Sequence, residues 1–231
     1  DSIRTHSNHV TNNKIGLKAD LSQLSNTLSG VSIGIYGIVY NGGFADSNTV
    51  AHNIIAYNGW NGVTVWEHPS TPINADKNKI SQNSIYWNVA LGIDLGGDGV
   101  TPNDLTDPDT GANQQLNFPV INQADYCAGY TLVLGTIDID TSPLLATVEV
   151  FEADTDPSGY GEGRTYLGSA TPDAAGNWQL VVAFQLGVSD LVTATVTDTN
   201  LNTSEFALDV TVAALSGCGD LNGDGSTDSA D

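Results

Sequence analysis

The last twelve residues carry oxygen-bearing side chains at spacings that suit a calcium ion. Counting Asp220 as position 1, such side chains stand at positions 1, 3, 5, 9 and 12, and Gly225 fills position 6. Calcium takes roughly six to eight oxygen ligands, and a loop of this length with glycine at its sharp turn can wrap them around the ion. We therefore predict a Ca²⁺ site, with Ser226 ligating through its carbonyl and Asp228 directly or through water. Its ligands are Asp220, Asn222, Asp224, Ser226, Asp228 and Asp231.

This loop resembles the first calcium loop of a type I dockerin, the module that attaches secreted carbohydrate-active proteins to cohesins. Position 12 is Asp231, as is usual in dockerins, whereas ordinary EF-hands have Glu there. The resemblance implies calcium-dependent binding to a cohesin, to which Ser229 and Ala230 at positions 10 and 11 would contribute. The helix and second loop of that module do not follow, so residues 216–231 are predicted to be the start of a truncated dockerin.

Composition favours a protein that works outside the cell. The net charge is −21 with only six Lys and Arg residues, which argues against binding to nucleic acid phosphates. No apolar run approaches the roughly 18 residues of a membrane span. Residues 1–120 carry a net charge of −5, residues 121–216 carry −12 and residues 217–231 carry −4, which predicts a domain boundary near residue 120. We expect an extracellular protein that is secreted or attached to the cell surface.

The first region repeats itself. Residues 48–58 match residues 78–88 with an offset of 30, and residues 8–15 keep the same spacing of Asn and apolar residues. Gly62-Val63 matches Gly92-Ile93, and we assign residues 37–40 to the corresponding part of the first copy. Apolar residues alternate over short runs between Asn and Gly turns, which indicates short strands. Two apolar columns are expected, with an asparagine column between them: Val10, Val50 and Ile80; Ile15, Ile55 and Ile85; and Asn13, Asn53 and Asn83.

This pattern resembles the pectate-lyase-like right-handed parallel β-helix over residues 1–120. We expect the asparagine column to be buried and Asn48, at another turn, to be wetter. The resemblance implies that residues 92–120 close the stack and cover its open end. Four aspartates in that segment could hold a second calcium ion, although solvated turns are the better interpretation: Asp98, Asp104, Asp107 and Asp109.

Residues 121–215 predict an antiparallel, Ig-like β-sandwich. Alternating patterns place strands at 131–138, 145–153, 164–171, 177–184, 190–198 and 205–213, and residues 173–177 predict a hairpin turn. From Phe206 to Val212 apolar residues alternate with others, as in a half-buried strand. Cys127 and Cys218 bracket the region. If its first and last strands end at opposite poles the two would be too far apart to pair, so the pairing stays open.

The sequence contains no catalytic constellation. The lyases that the first region resembles use Arg or Lys as the base, but only Arg4, Lys14, Lys18, Lys77 and Lys79 are available. Asp94, expected to point outward, and Asp98 could form the carboxylate pair of a glycosidase. Because that position adjoins the end of the stack, we predict no catalytic residue there. His6, His9, His52 and His68 show no metal-ligand spacing and are expected at the surface.

Aromatic residues recur at one position of the repeat, as Tyr57 and Trp87, with Trp60 and Trp66 nearby. Exposed rings could stack on a glycan, but we expect core or partial packing for Tyr57 and Trp87. The sequence therefore predicts an all-β, non-catalytic C-terminal part of a secreted modular protein that is involved in polysaccharide binding or breakdown. The alternatives are a polysaccharide lyase or glycoside hydrolase with catalytic coils upstream, or a cell-surface adhesin or stalk.

Overall fold

The protein is all-β in a computed structural model that describes residues 6–34, 45–66, 75–183, 185–216 and 218. The short strands of the first part are β1 (His9–Thr11), β2 (Lys14–Ile15), β3 (Val31–Ile33), β4 (Thr49–Ala51), β5 (Ile54–Ala56), β6 (Val63–Val65), β7 (Lys79–Ser81), β8 (Ser84–Tyr86) and β9 (Ile93–Leu95). After the 3-10 helix η1 (Ala112–Gln115) come β10 (Val120–Cys127), β11 (Tyr130–Thr136), the 3-10 helix η2 (Pro143–Leu145), β12 (Thr147–Ala153), β13 (Gly163–Ala170), β14 (Asn177–Ala183), β15 (Leu191–Thr197), β16 (Val210–Thr211) and β17 (Ala213–Ala214). Both helices within the described ranges are short 3-10 turns, and neither could cross a membrane.

The first nine strands form three parallel sheets, which together are called the stack below. Their orders are β1-β4-β7, β2-β5-β8 and β3-β6-β9, so each layer of three successive strands contributes one strand to every sheet. Val10 lies opposite Val50, and Val50 opposite Ile80, as the repeat predicts. Ile55 likewise lies between Ile15 and Ile85. Both apolar columns predicted from the sequence are therefore confirmed.

Asparagine ladders join the layers at three turns. The Oδ1 of Asn53 accepts the backbone N–H and the Nδ2–H of Asn13, at 2.9 and 3.1 Å, and Asn83 does the same for Asn53. Asn8, Asn48 and Asn78 form a second ladder, and Asn58 and Asn88 belong to a third. The expectation that Asn48 is wetter is wrong, because it is 5% exposed and bonded within its own ladder.

One part of the repeat is displaced from where the sequence places it. The strand of the first layer that pairs with β6 is β3, with Val31 opposite Val63, so it does not come from residues 37–40. Residues 37–40 lie outside the described residues. The offset at this strand is 32 and not 30, and the match Gly30-Val31 to Gly62-Val63 to Gly92-Ile93 is visible in the sequence.

The second part contains two four-stranded sheets around a shared apolar core. The outer sheet has the order β14-β11-β10-β17 and the inner sheet the order β13-β12-β15-β16. Val133 from the outer sheet and Val148, Val150 and Val196 from the inner sheet lie in one buried cluster. Five strands agree with the sequence-based assignment, but β10 was missed, and the predicted strand 205–213 is reduced to β16 and β17. The pairing is not wholly antiparallel, because β10 and β17 run parallel.

The turn at residues 173–177 does not form the predicted hairpin. The strands on either side of it are β13 and β14, which lie in different sheets. Asp173 still makes a tight turn by accepting the backbone N–H groups of Ala175 and Asn177 at 2.8 and 2.9 Å. The turn chemistry was therefore predicted correctly, while the partners of the flanking strands were not.

The inner sheet packs against the last layer of the stack and caps it. Glu149 accepts the backbone N–H of Gln82, Glu162 that of Asn88, and Glu205 that of Leu95. Phe151 and Phe206 complete the apolar core of the stack. Exposed edges of parallel strands carry unpaired N–H groups. The three glutamates supply hydrogen-bond acceptors for such groups at the end of the stack.

Segment 92–120 has a smaller share in this cap than the sequence suggests. Asn113 in η1 accepts the backbone N–H of Asn78 at 3.0 Å and so extends one asparagine ladder. The other caps described above come from the two-sheet part. Phe206 belongs to the interface with the stack and not to an alternating strand, and Leu208, which the alternation pattern predicts to be buried, is exposed.

Cys127 and Cys218 form a disulfide, with their Cα atoms 5.4 Å apart. The pairing that the sequence left open is therefore present, because the condition of opposite poles is not met. Cys127 ends β10, and β17, which precedes Cys218, pairs in parallel with β10, so both chain segments leave the sheet at the same end. The bridge closes a loop with a sequence separation of 91 residues.

Candidate functional site

The calcium ligands predicted from the sequence, from Asp220 to Asp231, lie outside the described residues, as do Ser229 and Ala230. Among the residues that are described, no group of three or more His, Cys, Asp or Glu side chains is placed to hold a metal ion. In the Asp-rich segment, Asp107 is buried and accepts the backbone N–H of Asn117 at 2.9 Å. Burial raises the pKa of Asp107 to about 6, and the neighbouring Asp140 and Asp104 add to the effect.

Asp94 does not form an open carboxylate pair with Asp98. It is 2% exposed, and its carboxylate accepts the Nδ2–H of Asn61 at 2.8 Å and the backbone N–H of Gly97 at 2.9 Å. Burial raises the pKa of Asp94. Asp98 is exposed. Ile93 and Leu95 belong to the apolar core of the stack, so Asp94 between them faces away from that core as predicted, but its own neighbours enclose it.

The histidines are at the surface where the structure describes them. His6, His9 and His52 are exposed, as expected, and His68 lies outside the described residues. His52 occupies a left-handed turn position with a φ of 57°. Among the residues that the structure describes, His6 Nδ1 lies 3.3 Å from Ser7 Oγ, and no hydrogen bond of the His9 or His52 ring is found.

An exposed feature with binding chemistry is an aromatic cluster on one edge of the stack. Tyr57 and Trp87 stand at the same turn in successive layers, with left-handed φ values of 58° and 55°. Each directly precedes an asparagine of the third ladder, which is buried. The backbone of the turn is thus held by the asparagine, while the preceding residue carries the ring. The ring of Trp87 is 5.1 Å from that of Tyr57 and 5.2 Å from that of Tyr86.

Trp87 is not core. It is 44% exposed, while Tyr57 and Tyr86 are half-buried. The expectation of core or partial packing is therefore confirmed as partial packing, since Tyr57 is half-buried and Trp87 packs on both tyrosines while a large part of its ring faces solvent. Burial raises the pKa of the Tyr86 hydroxyl. These three side chains are called the Trp87 platform below.

Arg164, on β13 of the inner sheet, covers one side of the platform. Its guanidinium carbon lies 5.3 Å from the ring centre of Tyr86 and 5.0 Å from that of Trp87. Such cation–π contacts favour a fixed ring orientation. Arg164 also forms an ion pair with Asp154 at 3.2 Å. The cluster therefore contains groups from both parts of the molecule, with the aromatic rings coming from the stack and Arg164 from the inner sheet.

A second aromatic pair, Trp60 and Trp66, lies further along the layer that contains Tyr57. The rings of Trp60 and Trp66 are 5.2 Å apart and both are half-buried. A Cβ added at Gly97 would collide with the Trp66 ring, so the chain after the last layer packs closely over that residue. This pair is therefore more enclosed than the Trp87 platform.

The sequence indicated the aromatic column but not the whole cluster. Tyr86 was missed because it belongs to β8, where a half-buried aromatic residue is ordinary. Arg164 was missed because it is distant in sequence and meets the rings only through the packing of the inner sheet on the stack. Its being the single basic residue between 121 and 216 was the one available signal.

No family model matches the chain. Among solved structures, it is similar to the sensor domain of the anti-sigma factor RsgI4 in Pseudobacteroides cellulosolvens. That similarity has 13% identity and a TM-score of 0.27, and it covers 42% of this chain and 94% of that chain. At these values it carries no argument about fold or function.

Proposed function

We propose that the chain is a non-catalytic part of a secreted modular protein that binds polysaccharide, with the Trp87 platform as the contact surface. In this proposal the stack is the end of a right-handed parallel β-helix and the two sheets are an Ig-like sandwich. The calcium loop at the C-terminus begins a type I dockerin that attaches the protein to a cohesin. The observation that carries the proposal is the exposed Trp87 ring, held in place by its neighbours.

The chemistry of the platform supports sugar binding. The C–H faces of a pyranose ring are apolar and pack on aromatic faces, while its hydroxyl groups stay hydrated. Trp87 offers an exposed ring of the right size, and Tyr57, Tyr86 and Arg164 restrict its motion. A ring fixed before binding loses less conformational entropy when a ligand arrives.

The attachment function rests on the sequence of residues 220–231. The ligand spacing, the glycine at position 6 and the aspartate at position 12 are the features that support it. The acidic composition of the chain agrees with a protein that meets calcium outside the cell. Attachment and glycan binding are independent functions, and each has its own test.

Affinity electrophoresis tests the platform. The 231-residue chain should migrate more slowly in native gels that contain a soluble polysaccharide, with xylan, glucomannan, mixed-linkage β-glucan and polygalacturonate run side by side. Trp87→Ala should abolish the retardation on the polysaccharide that binds. Leu105→Ala, which removes another exposed apolar side chain, is the matched control and should change nothing.

Two results would overturn the platform as the binding surface. One is retardation of Trp87→Ala equal to that of the original chain. The other is the absence of retardation on all four polysaccharides.

A separate experiment tests attachment. The chain extended by a complete dockerin should bind a cohesin in the presence of calcium and should release it when EDTA is added. Binding that EDTA does not change would contradict a calcium-dependent module.

A further inference from the structure

The two-sheet part contains a groove that the platform does not use. It has a volume of about 650 Å³ and opens at the end of the outer sheet where β10, β11 and β14 meet the turn at residues 171–176. Asn122, at the bulge that shifts the register of β10, lies on one side. Gln179 of β14 lies on another, next to Leu134 of β11, its partner in the sheet. Pockets that hold small ligands usually have volumes of about 300–1,000 Å³.

The lining combines hydrogen-bonding groups with an apolar surface. Asn122 and Gln179 are exposed and make no side-chain hydrogen bond within the described residues, and both lie on the groove. Thr136 and Thr171 add hydroxyl groups, and Leu134 and Pro172 add apolar surface. Amides and hydroxyls can each bond a sugar hydroxyl, while apolar side chains pack on its C–H face.

One wall of the groove is held rigidly. The Asp173 carboxylate accepts the backbone N–H and the Nδ2–H of Asn177, and hydrogen bonds from Asn177 lower the pKa of Asp173. The backbone N–H of Ile137 donates to the carbonyl of Gly176 at 2.9 Å. A groove whose wall does not rearrange offers a ligand a lower entropic cost.

Trp178 provides a spectroscopic reporter at the wall of the groove. It also lines the groove, it is 3% exposed, and its Nε1–H is buried without a hydrogen-bond acceptor. Because that nitrogen is closed to solvent and the indole belongs to the apolar core between the sheets, Trp178 reports on a ligand in the groove and is not one of its hydrogen-bond donors. Its ring packs on Gly135, where a Cβ would lie 2.7 Å from the indole.

The charge of the lining selects the class of ligand. Asp173 is its only charged side chain, and no Lys or Arg takes part. An anionic sugar would find no cation there and would face the Asp173 carboxylate. We propose that this groove is a second glycan site, separate from the Trp87 platform, which binds a short stretch of a neutral polysaccharide strand.

Indole resonances make the test specific. The chain has four tryptophans, Trp60, Trp66, Trp87 and Trp178, so a ¹⁵N-labelled sample gives four side-chain N–H signals, assigned by single Trp→Phe variants. Titration with cellohexaose, xylohexaose and mannohexaose should shift the Trp178 signal in a saturable way with at least one of them. The shift should persist in Trp87→Ala, which separates this site from the platform.

Variants of the groove decide the outcome. The double variant Asn122→Ala, Gln179→Ala should weaken the saturation of the Trp178 shift about tenfold, the loss of two ordinary hydrogen bonds. Gln23→Ala, an exposed glutamine on the stack, is the matched control and should leave it unchanged. The proposal is overturned if none of the three hexasaccharides moves the Trp178 signal, or if the double variant responds like the original chain. It is also overturned if the anionic trigalacturonate binds at least as tightly as the neutral hexasaccharides. If only the Trp87 signal moves, the platform stands and the groove does not.

Discussion

In the stack, a residue with left-handed backbone and the asparagine that follows it work as a pair. Ser47, His52 and Tyr57 have φ values of 60°, 57° and 58°, and each precedes a ladder asparagine. A left-handed conformation costs a non-glycine residue roughly 1 kcal/mol, which the ladder bonds offset. Because the asparagine holds the turn, the residue before it can vary. Tyr57 and Trp87 of the Trp87 platform occupy this variable position.

The ladder gives the first prediction. Asn53→Ala removes an acceptor from Asn13 and a donor from the carbonyl of Val10, which the Nδ2–H of Asn53 reaches at 2.7 Å. We expect a loss of about 1–3 kcal/mol for each partner left unsatisfied. Asn48→Ala should cost a similar amount, since Asn48 is also buried in a ladder. Urea unfolding followed by tryptophan fluorescence measures both.

Asn200→Ala is the control, because that side chain is exposed and outside the stack. It should change the free energy of unfolding by less than about 0.5 kcal/mol. Losses at Asn53 and Asn48 no larger than this would show that the ladders contribute nothing to stability.

The inner sheet is the element that joins the two parts of the molecule. On β15, Val192, Ala194 and Val196 face the core between the sheets, but Thr193 and Thr195 are buried as well. The alternation of apolar and polar residues therefore does not separate core from solvent here. The polar face is covered by the last layer of the stack, which needs hydrogen-bond acceptors at its edge.

The caps of that edge predict a pH dependence. Burial raises the pKa of Glu162 to about 8 and that of Glu205 to about 8, from an ordinary value of 4.5. The folded protein therefore holds protons that the unfolded chain releases above its ordinary pKa, so stability should fall as the pH rises through about 8. Asp209, whose pKa burial raises to about 7, acts in the same direction.

Urea unfolding at about pH 5, 7 and 9 measures this slope. In Glu162→Gln and Glu205→Gln the side chain stays neutral, so the decline between pH 5 and 9 should be smaller than in the original chain, whatever the absolute stability. Asn200→Ala, which removes no titratable group, is the control and should keep the original slope. A stability that rises with pH across this interval would contradict the prediction.

Phe206 provides a further prediction for this element. It packs edge-on against Phe151, with ring centres 5.5 Å apart, and fills the end of the stack next to Gly92. Phe206→Ala should cost about 3–5 kcal/mol because it leaves a cavity that two rigid elements cannot close. Phe206→Leu should cost less. Leu208→Ala, two residues along and exposed, is the control for thermal unfolding, and equal melting temperatures for Phe206→Ala and Leu208→Ala would contradict the packing.

Local patterns in the sequence predicted the stack better than the two sheets. The columns of Val50, Ile55 and Asn53 follow from a repeat, because each layer repeats the same contacts. Which sheet a strand joins depends on contacts between residues distant in sequence. The turn at residues 173–177 therefore could not reveal that β13 and β14 lie in different sheets. For the same reason the sequence predicted the aromatic column of the platform but not Arg164, which contacts Trp87 across the interface between the stack and the inner sheet.

At the scale of the whole molecule, the disulfide ties the last strand to the first strand of the two-sheet part. Replacing Cys127 and Cys218 together by serine removes a covalent constraint on a loop with a sequence separation of 91. A bridge of this kind contributes about 2–5 kcal/mol in small secreted domains. We expect a lower melting temperature for the double variant, and no further loss when it is treated with a reductant. If reduction of the original chain leaves its melting temperature unchanged, the bridge does not stabilise the fold.

The predicted calcium loop begins shortly after the disulfide in the sequence, because Asp220 comes two residues after Cys218. Residues 217–231 carry four carboxylates, which repel one another until a cation lies among them. Without the packing of a complete module, binding should fall at the weak, extracellular end of the range, with a Kd of about 10⁻⁴–10⁻³ M. Calorimetric titration of the chain with CaCl₂ should give that affinity, and Asp224→Ala should lose it, while Asp20→Ala on the stack should not. Since the ligands all lie beyond Cys218, the serine variant of both cysteines should still bind calcium. A chain that takes up no calcium, or an Asp224→Ala variant that binds as tightly as the original, would remove the basis for a calcium-dependent attachment.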